Sequence, residues 1–201
     1  MSKILLFACL GGFVLGPVAR AQCVNVRFVS SGVGSVIQLQ GTGISTSQLT
    51  AAASYWATCP SYGTGFPRFT TDNVSADVQV TVVYSGGSGT NCGLTTHSAN
   101  NPNVIQIQLW DRGLDTAGHP YDCNVVDTLA HELGHVLDLD NSTCSGYIMG
   151  PTTLSTMNGH EVAGTRSVNS QECSTVSNRW TTIFDQSGGG VGMPDFPPPC
   201  D

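Results

Sequence analysis

One run of five residues carries most of the chemical information in this chain: His131-Glu132-Leu133-Gly134-His135, inside the segment VVDTLAHELGHVLDLDN. On a helix, histidines at i and i+4 project from one face, close enough to share a metal ion. Glu132, beside the first histidine, is placed to take a proton from a water polarised by that metal. Two imidazole ligands and a neighbouring carboxylate are the parts that metal-assisted hydrolysis of an amide requires. The chain has five histidines, and the odds of this spacing by chance are on the order of one in several hundred.

Two ligands do not complete such a site, because a catalytic zinc ordinarily takes three protein ligands and leaves a fourth position for water. Asp138, Asp140 and Asn141 follow the second histidine. Asp138 shares the histidines' face, but seven residues of helix set it roughly 10 Å along the axis from His131. If the helix ends near Asp138 and the chain turns back, Asp140 or Asn141 comes under the metal, and the spacing leaves both open. A neutral amide oxygen is the poorer zinc ligand of the two. Asn141-Ser142-Thr143 is also a glycosylation sequon, as is Asn73-Val74-Ser75. His160 is a distant further candidate, whereas His97 and His119 fall in polar stretches and read as solvated surface residues.

The elements that must position these groups follow from periodicity. Val24, Val26 and Phe28 alternate as a strand over Cys23–Phe28, and Val36–Gln40 reads as a second. Ser45-Thr46-Ser47-Gln48 has capping-box spacing, and Leu49, Ala52, Ala53 and Trp56 then recur at helical intervals to about Cys59-Pro60. Ala76–Tyr84 and Asn103–Trp110 alternate as strands, separated by a Gly/Ser/Thr/Asn-rich stretch, Ser85–Asn103, expected to be a loop. The motif-bearing helix starts around Asp122–Asn124 and turns Val125, Leu129, Leu133, Val136 and Leu137 inward. A last helix is expected over Val168–Trp180, with Asn169 and Glu172 in cap-and-N3 relation. The order predicts an α+β domain in which a small twisted mixed sheet carries its helices on one face.

Residues 1–21 have the layout of a secretory signal peptide: Lys3, an apolar run from Ile4 to Leu15, then Ala19-Arg20-Ala21 before Gln22. Residues 22–186 form one domain of comfortable size, and 187–201 has the Gly/Pro composition of a tail. From Gln22 onward five arginines face fourteen acids, a formal charge of −9 with no lysine. That balance argues against nucleic acid and anionic membranes as partners and suits a secreted protein expected to be monomeric. In an exported chain the cysteines are expected in disulfides. Pairing neighbouring elements suggests Cys23–Cys59, Cys92–Cys123 and Cys144–Cys173, with Cys200 left over.

Read together with Cys144-Ser145-Gly146-Tyr147-Ile148-Met149-Gly150-Pro151, the helix resembles the metzincin clan of zinc endopeptidases. Members carry H-E-x-x-H-x-x-G-x-x-H, or a final Asp in the snapalysin branch, followed by a methionine-containing turn. His131, Glu132 and His135 match position by position, and Met149 corresponds to the methionine of that turn. Asp138 stands where the family has glycine, and Asn141 where it has the third ligand. The resemblance implies a metzincin-like α+β fold, a Zn2+ cofactor, Glu132 as general base, and a protein or peptide substrate. It further implies that the substrate lies extended along an edge strand, for which Asn103–Trp110, with Ile105, Ile107 and Leu109 on one face, is the best candidate. Two alternatives stand beside it. One is a gluzincin-like site in which Glu172 is the third ligand; the other is the same fold without competent zinc, acting as a binding or structural domain.

Overall fold

Alternating apolar residues place the core on a single face of a five-stranded sheet. The computed structural model describes residues 36–60, 66–72, 78–101, 103–157 and 159–185. The expected leader, the strand over 23–28, the sequon at Asn73, Cys23, Cys200 and the tail lie outside them. The sheet comprises β1 (Val36–Thr42), β2 (Arg68–Thr70), β3 (Val78–Tyr84), β4 (Gly93–His97) and β5 (Val104–Leu109), in the order β2-β1-β3-β5-β4. All pairings are parallel except that of β4, which runs antiparallel to β5. Register aligns Leu39 with Val80 and Val80 with Ile105, and then Val82 with Ile107. These side chains are buried, each worth roughly 1.5–3 kcal/mol relative to exposure. Gln40, Gln79 and Gln106, turned to the opposite face by the two-residue repeat, are exposed.

Helices α1 (Thr46–Ala57) and α2 (Val125–Val136) cover the apolar face. The Ser45–Gln48 capping box forms as its spacing predicts, and Leu49, Ala52 and Trp56 are buried. Trp56 also donates its indole N–H to the carbonyl of Ala130 on α2 at 2.9 Å, which fixes the two helices against each other. Helix α3 (Ser170–Asp185) begins at the predicted Asn169/Glu172 cap and runs beyond the expected end at Trp180.

Three expectations require correction. The stretch Ser85–Asn103 is not all loop, because it holds β4, whose only large apolar residue, Leu94, points outward. Asn103–Trp110 is not an edge strand: β5 is paired with β3 on one side and β4 on the other, so Ile105, Ile107 and Leu109 are core residues. The fold also has a second sheet that the expected elements did not include: β6 (Arg112–Leu114), β7 (Pro120–Asp122), β8 (Leu154–Met157) and β9 (His160–Ala163), ordered β6-β7-β9-β8. Strands of three or four residues are too short to leave a readable alternation.

Cys92–Cys123 forms as expected. Cys59, however, pairs with Cys173 across a sequence separation of 114, in place of the expected Cys23–Cys59 and Cys144–Cys173. The end of α1 and the start of α3 lie side by side here, with Cα atoms 5.3 Å apart, and neighbourhood in sequence did not reveal it. Cys144 is disulfide-bonded as well. Among the described residues no helix is long and apolar enough to cross a membrane.

Candidate metal centre

Helix α2 is built to end just past the second histidine. At its start the Asn124 side chain accepts from the Asp127 amide at 3.1 Å. At its end the Asp138 amide bonds the His135 carbonyl and the Leu139 amide bonds the Gly134 carbonyl, the reciprocal pair of a Schellman cap. That cap needs a left-handed residue, and Asp138 supplies it at φ 64°, the one non-glycine with positive φ among the described residues. Aspartate thus takes the conformation that the resemblance assigns to glycine. The reversal brings the Leu139 carbonyl back to His135.

The two imidazoles stand edge to face with centroids 4.9 Å apart. His135 Nδ1 donates to the Leu139 carbonyl at 2.8 Å, and His131 Nδ1 lies 2.7 Å from the Ile148 carbonyl. Carbonyls only accept, so the His135 bond fixes the neutral tautomer whose lone pair is on Nε2, the nitrogen suited to a metal, whereas at His131 the Arg166 guanidinium, which only donates, also stands against Nδ1. Burial, then the charge of Arg166, then His135 push the His131 pKa down to about 3, so its ring is neutral across the physiological range.

Of the candidate third donors, the Asn141 side chain lies near His131, whose pKa it raises by less than the ring's other neighbours shift it. Asp140 instead turns Oδ1 to the Asn141 amide at 2.8 Å. Glu172 Oε1 accepts from the Met149 amide at 2.9 Å, and Oε2 accepts from both nitrogens of Asn169. Its carboxylate therefore clamps the methionine turn to the start of α3. Among the described residues no three His, Cys, Asp or Glu side chains group to hold a metal, so neither Asp140, Glu172 nor His160 completes the histidine pair. Two imidazoles on one helix face fit a zinc ion, and the Asn141 amide would be its weakest donor.

No family model matches the chain, and no curated protein sequence does so either.

Met149 is fully buried beneath the helix, and its carbonyl accepts from the Ser142 amide at 2.8 Å. Gly134 makes room for it, because a Cβ there would collide with Met149 Sδ and lie 3.0 Å from Trp56. On the other side of α2, Glu132 is buried against β4. The Thr95 hydroxyl lies 2.6 Å from Glu132 Oε2, and a Cβ on Gly93 would come within 2.6 Å of Oε1. His97 ends this strand half-buried, not in a solvated loop, whereas His119 is exposed beside Asp115 as expected.

Sequence reasoning missed Arg166. It leaves β9 buried and meets Asp127, one helical turn before His131, through Nε at 3.0 Å and its own amide at 2.8 Å. Its NH1 donates to the Gly150 carbonyl at 2.9 Å and stands 3.0 Å from His131 Nδ1. One guanidinium thus joins α2, the methionine turn and the second sheet. A single arginine in Gly164-Thr165-Arg166-Ser167 gave no signal of this.

Proposed function

We propose that this protein is a secreted metzincin-like zinc metalloendopeptidase. The observation that carries the reading is the paired imidazoles one helical turn apart, His135 with Nδ1–H spent on the Leu139 carbonyl and His131 with Nδ1 against the Ile148 carbonyl, with Glu132 between them in sequence. His131, His135 and Asn141 would hold the ion. Bound zinc would polarise the scissile carbonyl and acidify a water. Glu132 accepts the proton of the attacking water at its carboxylate and delivers it to the departing amine nitrogen. Leu139, Ile148 and Arg166 keep the two rings oriented and neutral. An extended substrate segment adds to the outer side of β4, the antiparallel strand at the end of the sheet, through main-chain hydrogen bonds.

Metal analysis of purified protein is expected to give about one zinc per chain, with chelator-sensitive cleavage of an unstructured protein substrate. Glu132→Gln should keep the zinc and lose activity by roughly 10²–10⁴-fold, the range for removing a general base. Asn141→Ala should weaken zinc binding by at least about tenfold, while Asp140→Ala should not. The neutral amide at Asn141 favours one second reading, the same fold acting as a secreted binding or structural domain. Protein that takes up no stoichiometric zinc would establish that reading instead.

A further inference from the structure

We propose that Thr95 is the positioning residue of the general base, and that β4 serves as a cradle for the Glu132 carboxylate. The inference rests on the metallopeptidase reading. Residues two apart on a strand face the same way. Gly93 and Thr95 face α2, whereas Leu94 and Thr96 are exposed. The Thr95 hydroxyl has one proton and two nearby acceptors on Glu132, the backbone carbonyl at 3.2 Å and Oε2 at 2.6 Å. The shorter contact falls in the range of a hydroxyl donating to an ionised carboxylate, so the proton belongs to Oε2.

A glutamate fixed in one rotamer gives up side-chain entropy. Thr95 offsets that loss and holds the carboxylate in one orientation, while Gly93 lets the strand approach closely enough to do so. Threonine suits the task because its β-branch restricts χ1 on a strand. The same strand is the one along which the substrate is expected to lie. The base and the substrate are therefore referenced to a single backbone.

The test compares Thr95→Val, which keeps the shape and removes the hydroxyl, with Thr95→Ser, which keeps the hydroxyl. In zinc-loaded protein acting on a peptide substrate, Thr95→Val should lower kcat about tenfold or more, with KM and zinc content unchanged. Thr95→Ser should stay within about threefold of wild type. In metal-free protein, a double-mutant cycle of Thr95→Val with Glu132→Ala, read by urea unfolding, should be non-additive. Wild-type kcat in Thr95→Val, an equal loss in Thr95→Ser, or an additive cycle would each overturn the role. A wild-type chain that neither binds zinc nor cleaves peptides overturns the enzymatic reading itself, and the cycle still reports whether the hydroxyl and the carboxylate are coupled.

Discussion

At the scale of single residues, Gly134 shows how local preference yields to packing. A helix-interior glycine costs about 1 kcal/mol relative to alanine, so propensity alone favours Gly134→Ala. The added Cβ would meet Met149 Sδ and the Trp56 ring, both buried, and overpacking of that kind costs about 1–3 kcal/mol. Gly134→Ala is therefore expected to destabilise the protein by about 1 kcal/mol in urea unfolding; a stabilised variant would show that the methionine turn yields. Arg166 makes a larger demand. Arg166→Met would strand the buried Asp127 carboxylate and should cost about 3–5 kcal/mol, much of it recovered when Asp127→Leu is added. The pairing of the two histidines was legible because i, i+4 spacing alone puts them together, with Glu132 beside the first. Where Asp140 and Asn141 point was not, since it depends on which way the chain leaves the left-handed turn at Asp138. Arg166 was not legible either, because the contact joins residues 39 apart through a sheet that periodicity does not show.

At the scale of elements, legibility followed the strength of the local signal. The helices could be read because capping residues and a three-to-four spacing recur over twelve residues or more. Strands β1, β3 and β5 could be read because they bury one face. Strand β4 could not, since Gly93 and Thr95 face inward and the polar surroundings resemble a loop. The start of α3 combines a legible cap with a function visible only in three dimensions. Glu172 caps its own helix through Asn169 and also holds the Met149 amide. Burial raises its pKa above the ordinary 4.5, against the opposing amides of Met149 and Asn169. The folded state therefore binds more protons than the unfolded chain between 4.5 and the raised value, and the stability linked to this group is lost as pH rises through that window. Urea midpoints for wild type and Glu172→Gln, measured from pH 4.5 upward, should show the wild type losing ground to the variant with rising pH. A constant difference would refute the assignment.

At the scale of the molecule, the two described disulfides staple different parts of the site. By loop entropy alone, Cys92–Cys123, with a sequence separation of 31, should contribute about 4 kcal/mol, and Cys59–Cys173, with 114, about 5 kcal/mol. Their positions separate them more sharply than their energies do. Cys92 directly precedes β4, and Cys123 precedes the Asn124 cap of α2, so this bond ties the strand that grips Glu132 to the helix that carries it. Cys173 follows Glu172, so the other bond fixes the carboxylate that holds the methionine turn, and through Ile148 the orientation of His131. Replacing Cys92 and Cys123 by Ser should cut kcat with zinc retained. Replacing Cys59 and Cys173 should instead weaken zinc retention and lower the urea midpoint further. Zinc content by metal analysis, kcat on a peptide and unfolding of both variants decide the matter. If the two variants lose kcat and zinc in the same proportion, the disulfides act only through global stability, and base and ligands are not held by separate supports.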